Sequence, residues 1–150
     1  HRISLAKSRG GFSLIEVLIV IGLLAILAVV GSVIGFDAIA RGTVAGERDL
    51  LVTLLVSART KSLANVNEVR HGVYVSSTEF VLFEGDDYGS SDPASHRPVD
   101  RASAVSSTGD TEVVFEQLSG DEAGGGRSIT LTDNASNATI DINPAGRIEW

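Results

Sequence analysis

An uninterrupted apolar run near the N-terminus constrains this chain more than any other feature. Residues 17–36 contain no charged side chain. About 20 helical residues at roughly 1.5 Å each span about 30 Å, which is the thickness of the hydrocarbon core of a bilayer. A chain of 150 residues is too short to surround a helix that is apolar on every face, which disfavours a buried core helix. The run therefore predicts a transmembrane helix.

Charged residues are distributed asymmetrically around this run. Arg2, Lys7 and Arg9 precede it, and Asp37 follows it. Because positive charge stays on the cytoplasmic side, we expect a single-pass protein with a cytoplasmic N-terminus. Residues 37–150 are then expected on the opposite side of the membrane. A secretory signal peptide is the competing interpretation. It is disfavoured because the run exceeds the usual signal core of about 7 to 15 residues and because Glu16 stands at its beginning.

Charge and residue types exclude several classes of function. The chain has 12 Lys and Arg against 19 Asp and Glu, which gives a net charge of -7, and it has no cysteine. Thiol catalysis, disulfide scaffolds and thiolate zinc sites are therefore excluded. An acidic protein also has little general affinity for nucleic acid phosphates. Beyond the apolar run, His71 and His96 are the only histidines, and no G-x-S-x-G motif is present, so we expect no enzyme.

The junction before the apolar run resembles the leader junction of type IV pilins and type II secretion pseudopilins. It reads Gly11-Phe12-Ser13-Leu14-Ile15-Glu16 and follows the basic Arg9. The resemblance implies that residues 1–11 are a basic leader, which a prepilin peptidase cuts off between Gly11 and Phe12 before the new amine of Phe12 is methylated. Glu16 is then expected to pair with that amine on a neighbouring subunit, since a low dielectric strengthens the attraction of opposite charges.

Residues 37–67 are predicted to continue the helix beyond the membrane. They contain no proline, and small or apolar residues recur at steps of three and four. These positions are Val44, Leu51, Leu54, Leu55, Ala58, and Ser62 or Leu63. One face of the helix should therefore pack on a head domain. The charged residues fall mainly between those positions and are expected to form a solvated face: Glu47, Arg48, Asp49, Arg59 and Lys61.

From residue 68 onward the pattern changes to short alternating segments separated by turn residues, which predicts a β-rich head over 68–150. Residues 73–75 and 80–83 flank a polar turn and are expected to form a hairpin. Further short β segments are expected at 113–115, 129–131, 139–142 and 147–150. Residues 84–110 and 120–126 are rich in Gly, Ser and Asp and are expected to be surface loops. The first of these loops contains a cluster of four carboxylates, Glu84, Asp86, Asp87 and Asp92. They could form a calcium site, but a solvated acidic loop is favoured because their spacing departs from that of a calcium loop.

Two further segments resemble the GspH/FimT group of minor pseudopilins. One is residues 48–64, with Leu50, Leu54 and Ala58-Arg59, and the other is residues 127–150, with Asn143-Pro144-Ala145-Gly146-Arg147. The resemblance implies an α+β, type IV pilin-like fold, in which a long N-terminal helix packs on an antiparallel β-rich head. The transmembrane part would be residues 12–36, and residues 37–67 would be the extracytoplasmic half of the same helix.

The implied function is that of a structural minor pseudopilin, pseudopilin H of a type II secretion system. Such a subunit lies in the bacterial inner membrane with its head in the periplasm, and takes part in pseudopilus assembly, tip formation and protein export. The implied partners are other pseudopilins or pilins through the N-terminal helix, the prepilin peptidase, the inner-membrane assembly platform, the lipid bilayer and a secreted cargo. No catalytic residue, cofactor or metal ligand is implied.

The sequence leaves two alternative functions open. The first is a FimT-like minor pilin of a type IV pilus, acting in fibre assembly or DNA uptake. DNA uptake is disfavoured because Arg147 is the only basic residue near the end and residues 70–150 carry five Arg against fourteen Asp and Glu. The second is an unrelated single-pass membrane protein with a β head, which would leave Glu16 without a partner.

Overall fold

The chain divides into two compact units, residues 1–37 and 38–150. The structure, a computed structural model, describes the backbone of residues 14–150 and the side chains of residues 14–23 and 43–150. A helix, α1 (Leu14–Leu63), extends through parts of both units, and all the strands belong to the second unit. A helix combined with antiparallel sheets is an α+β fold, as the sequence predicted, and it is consistent with a pilin-like fold.

Helix α1 ends where two asparagines adopt left-handed backbone conformations. The Ala64 amide still donates to Thr60 O (2.9 Å). Beyond it, Asn65 has φ 51° and Asn67 has φ 55°, values that asparagine adopts more readily than most residues. A short 3-10 turn, Val66–Glu68, follows. The α-helix therefore stops at Leu63, before the predicted end at residue 67.

The strands form two four-stranded antiparallel sheets. The first sheet has the order β3-β2-β1-β5, and the second has the order β4-β6-β7-β8. In chain order the strands are β1 (His71–Val75), β2 (Glu79–Glu84), β3 (Arg97–Asp100), β4 (Ser106–Gly109), β5 (Glu112–Phe115), β6 (Arg127–Thr132), β7 (Asn137–Ile142) and β8 (Ile148–Glu149). The predicted hairpin is confirmed as β1 and β2, in which Val73 lies opposite Leu82.

The prediction that residues 84–110 form one surface loop is wrong, because they contain β3 and β4. Strand β4 consists of Ser, Ser, Thr and Gly, and strand β3 carries a proline and mostly exposed side chains. Neither shows the alternation of apolar and polar residues that identifies a half-buried strand. Both are instead stabilised by main-chain pairing, β3 with β2 and β4 with β6.

The core of the second unit lies between α1 and both sheets. Strands β6 and β7 show the expected alternation, with Ile129 opposite Ile140 on the buried face. On their outer face Ser128 Oγ donates to Asp141 Oδ1 (2.6 Å). The core residues are Val44, Leu51, Val52, Leu55 and Ala58 of α1, Val73, Val75, Phe80, Leu82, Val113 and Phe115 of the first sheet, Ile129, Leu131, Ile140 and Ile142 of the second, and Val105.

The segment after β2 covers the outer face of the first sheet. The Tyr88 ring stacks on Tyr74 (centroids 4.1 Å apart) and on His96 (4.7 Å), and it meets Phe83 edge to face. Phe83 lies over Gly72, where a Cβ atom would come within 2.5 Å of its ring. The acidic stretch that the sequence predicted as a solvated loop is therefore anchored by one aromatic side chain.

Glu47 is the clearest departure from the predicted solvated face of α1, since it is only 6% exposed. Its carboxylate accepts from Arg101 Nε (3.2 Å) and from the Ala102 amide (2.8 Å). The Arg101 side chain is itself buried, and its guanidinium lies 4.6 Å from the centre of the Phe80 ring. A buried ion pair thus joins the helix to the segment between β3 and β4.

Arg59, also predicted to be solvated, joins the helix to two loops. Its Nε donates to Gly120 O and its Nη2 donates to Ala145 O, both at 3.1 Å. Gly146 has φ 71°, and a Cβ atom there would collide with Gly120 O, so glycine is required at this position. The two sequence segments that resemble the GspH/FimT group therefore contact each other through Arg59.

Replacing Glu47 with alanine is expected to lower the free energy of unfolding of the second unit by about 3 to 5 kcal/mol, because the Arg101 cation stays buried without its partner. Chemical denaturation followed by circular dichroism measures the change. Asp49→Ala is the matched control, since the carboxylate of Asp49 pairs with Arg48 at 2.8 Å while 65% exposed, and it should cost no more than about 0.5 kcal/mol. Equal losses for the two variants would contradict the structural role of Glu47.

Candidate assembly site

The predicted processing residues lie at or before the N-terminal end of α1. Gly11 and Phe12 are outside the described residues, so cleavage and methylation there stay predictions. Glu16 lies in the first turn of α1. Its side chain is exposed, and it forms no hydrogen bond or ion pair with any residue in the part of the chain that the structure describes.

Glu16 is surrounded by exposed apolar side chains. It is the only ionisable residue between Leu14 and Leu23. Its chain neighbours Ile15 and Val17 are 65% and 47% exposed. The other exposed apolar side chains of this stretch are Leu14, Leu18, Ile19, Val20, Ile21 and Leu23. This end of the helix presents a continuous apolar surface with a single carboxylate, a pattern typical of a segment in contact with lipid or with other helices.

The span predicted over residues 12–36 lies partly outside the described side chains, which resume at residue 43. Within the part of the chain that the structure describes, no helix is both long enough and apolar enough to cross a bilayer. The transmembrane span stays a prediction.

The carboxylates of the acidic segment have separate partners and do not converge on one point: Glu84 accepts from Asn67, and Asp86 pairs with Arg70. Asp87 accepts from the Ser90 hydroxyl (2.6 Å) and the Ser90 amide (2.8 Å), and these bonds hold the pKa of Asp87 below its usual value. Asp92 accepts from the Ala94 amide (2.9 Å). Among the described residues, no three Asp, Glu or His side chains are arranged to hold a metal ion. The hypothesis of a calcium site therefore gains no support.

His71 is fully buried beneath the C-terminal end of α1. Its Nε2 lies 3.6 Å from Glu84 Oε1, and neither ring nitrogen has a hydrogen-bond partner among the described residues. Burial lowers the pKa of His71 below 6.5, the nearby Lys61 adds to this, and Glu84 opposes it. The backbone amide of His71 donates to Ser62 Oγ (2.9 Å), which fixes β1 to the helix.

His96 and Ser91 are the pair that most resembles a nucleophile with its base. Ser91 Oγ lies 2.7 Å from His96 Nε2. The same hydroxyl also lies 2.7 Å from Tyr88 O. A carbonyl oxygen can only accept, so the Ser91 hydroxyl donates its proton to Tyr88 O. His96 Nε2 must then act as the donor to Ser91, so this arrangement holds the loop and does not activate the hydroxyl as a nucleophile.

The basic residue near the C-terminus is paired. Arg147 Nε lies 3.1 Å from Glu149 Oε1, with both side chains more than half exposed. An arginine that shares its charge with an adjacent carboxylate offers little attraction to a phosphate. The pairing of Arg147 and the excess of acidic over basic residues in 70–150 both disfavour the binding of a phosphate.

A family model of the prokaryotic N-terminal methylation motif matches residues 6–32. No curated protein and no solved structure matches the chain. The matched range contains Gly11, Phe12 and Glu16, and it supports a type IV pilin-like protein that is anchored in a membrane. The motif implies processing by a prepilin peptidase and assembly with other pilins. Proteins of this kind are structural and not enzymes.

Lowering the pH below about 6.5 is expected to destabilise the second unit through His71. The unfolded chain binds a proton at His71 at a higher pH than the folded chain, so the free energy of unfolding decreases as the pH falls through that window. Denaturation of the wild type and of His71→Leu at about pH 7.5 and about pH 5.5 measures the effect. The variant should show the weaker pH dependence. The same dependence in both proteins would assign it to other groups.

Proposed function

We propose that the chain is a structural minor pseudopilin of a type II secretion pseudopilus, anchored in the bacterial inner membrane with its head in the periplasm. The match of the methylation motif to residues 6–32 is the observation that carries this proposal. The contact of Arg59 with Gly120 and Ala145 supports the placement in the GspH/FimT group, because it joins the two segments on which that resemblance rests.

Processing would prepare the N-terminus for assembly. Hydrolysis of the bond between Gly11 and Phe12 removes the basic residues 1–11 and leaves a cationic amine on Phe12. Glu16 lies four residues further along the chain. In a low-dielectric environment a cation and a carboxylate on neighbouring subunits attract strongly, so the pair would favour incorporation of a correctly processed subunit.

The head would then contribute protein contacts and no chemistry. Its loops are anchored by Tyr88, by the pair of Glu47 and Arg101, and by Arg59. Such anchoring keeps a surface in one shape without a bound cofactor. This suits a subunit that initiates or ends a filament and contacts another subunit or a secreted cargo.

Membership of a type IV pilus is the alternative, with fibre assembly or DNA uptake as the role. DNA uptake would require a basic surface, whereas Arg147 is paired with Glu149 and residues 70–150 are strongly acidic. No observation in the described residues favours the pilus over the pseudopilus, so the role in secretion rests on the sequence resemblance.

Protein recovered from a host that contains a prepilin peptidase should begin at Phe12 and carry one methyl group on its amine. Intact-mass measurement, followed by fragmentation of the N-terminal peptide, determines both. Gly11→Val, which places a branched side chain at the scissile bond, should leave the leader attached. A mature chain that begins after the apolar run would instead identify a signal peptide and contradict the proposal.

Glu16→Gln should insert into the membrane and be cleaved like the wild type, but it should not be incorporated into filaments. The amide keeps the size of the side chain and removes the charge that pairs with the Phe12 amine. Membrane fractionation, N-terminal processing and cross-linking to other pilin-like subunits are measured side by side.

Glu79→Gln is the matched control, since it changes a half-exposed carboxylate in β2 and should assemble normally. If Glu16→Gln assembles as well as this control, the carboxylate is not an assembly contact. If Glu16→Gln disappears from the membrane, the interpretation of the helix as an anchor is wrong.

A further inference from the structure

Strand β4 has an outer edge with unpaired main-chain groups. The Asp110 amide donates to Ser128 O (2.9 Å), and antiparallel pairs alternate between bonded and non-bonded positions. Residues 106 and 108 therefore face β6, whereas the amide and carbonyl of Ser107 and of Gly109 point outward. No residue in the described part of the chain forms a hydrogen bond with these outward groups.

The other sheet edges of the second unit are protected. The Arg101 amide donates to Thr78 O, which by the same alternation places Pro98 at an outward position of β3, where it has no N–H to offer. Strand β5 is covered by residues 121–123, whose Ala123 amide donates to Val114 O (2.9 Å). Strand β8 has only two residues. Strand β4 contains no proline and no charged residue, so this edge lacks the usual barriers to pairing.

A groove of about 610 Å³ lies beside this edge. Seven of its ten lining residues carry a hydroxyl group, and none carries a carboxylate or a basic side chain. The hydroxyls include those of Ser76, Ser77, Ser103, Ser106, Ser107 and Thr111. The groove can therefore accept small polar side chains, whereas a charged side chain would lose water without meeting an opposite charge.

Arg101 fixes the width of this groove. Its Nη1 donates to Ser76 O, in the turn between β1 and β2, and to Ser107 Oγ (3.1 Å) in β4. Its Nε is bound by the buried carboxylate of Glu47 (3.2 Å). Both walls are held by one buried side chain, so the edge and the groove are formed before any partner arrives.

We propose that the outer edge of β4 and the adjoining groove bind an extended, uncharged segment of another polypeptide as an additional strand. The main-chain groups of Ser107 and Gly109 would pair with the segment, and its hydroxyl or amide side chains would enter the groove. A second copy of this chain is a poor occupant, because residues 38–150 carry nine basic against seventeen acidic side chains and two copies would repel each other. The inference rests on the second unit alone and does not depend on processing at Gly11.

The test uses the full chain in detergent micelles and an acetylated, amidated peptide of alternating threonine and valine. Hydrogen exchange of the amides of Ser107 and Gly109 is measured with and without peptide. At saturating peptide the exchange rate of both amides should fall at least about tenfold, because both amides become hydrogen-bonded. The amide of Asp100 in β3 should not change.

A second peptide of the same sequence, with N-methyl groups on alternate amides, is the matched control for strand pairing. It keeps the side chains but cannot form the ladder, so it should give no protection. Peptides in which glutamate replaces threonine should also bind at least tenfold more weakly, because the groove and the acidic surface both disfavour them.

The chain itself offers a pair of variants. Ser107→Pro removes an outward N–H without removing a bond to β6, so the peptide should no longer protect Gly109. Thr108→Ala changes a residue of the same strand that does not line the groove and leaves the amide of Ser107 in place, so it should retain protection. The proposal is overturned if the wild type shows no protection, if the N-methylated peptide protects equally, or if protection appears at β3.

Discussion

The buried pair of Glu47 and Arg101 is the interaction on which the arrangement of the second unit depends most. One guanidinium reaches the carboxylate of the helix, the turn between β1 and β2 through Ser76, and strand β4 through Ser107. Without it, the two sheets would still bury their apolar faces against α1, but the segment between β3 and β4 would lose its polar contacts with the helix and keep the bond from the Arg101 amide to Thr78 O. A buried ion pair adds little net stability and is better understood as a device that selects one arrangement over others.

A second set of contacts places the C-terminal half of the chain on the helix. Arg59 bonds the carbonyls of Gly120 and Ala145, and the left-handed Gly146 brings these loops close enough for one side chain to reach both. Ser62, which lies near Arg59 on α1, bonds both the His71 amide and Phe115 O. Polar side chains of α1 therefore connect the helix to the first sheet and, through Ala145, to the loop between β7 and β8 of the second, which explains why an arginine and a serine occur among its small and apolar residues.

These connections relate the fold to the proposed role. The N-terminal end of α1 presents an apolar surface with one carboxylate and belongs to the part of the chain matched by the methylation motif. The second unit has its own core, with its loops fixed by buried polar groups. A filament subunit needs both properties, since its helix must be available to other subunits while its head keeps a constant surface. The uncharged edge of β4 is the part of that surface best suited to another polypeptide.

The sequence alone determined what depends on local pattern. The hairpin of β1 and β2 and the alternation in β6 and β7 can be recognised because neighbouring residues repeat with the period of a strand. The apolar run can be recognised from its length, and the junction around Gly11 and Glu16 through its resemblance to a pilin leader. Only the tertiary structure decided the rest. Glu47 and Arg59 are spaced like solvated residues, and they are bound only because Arg101, Gly120 and Ala145, more than fifty residues away, come into contact with them. Strands β3 and β4 have no apolar alternation, and they exist because β2 and β6 supply the hydrogen bonds that their own side chains do not predict.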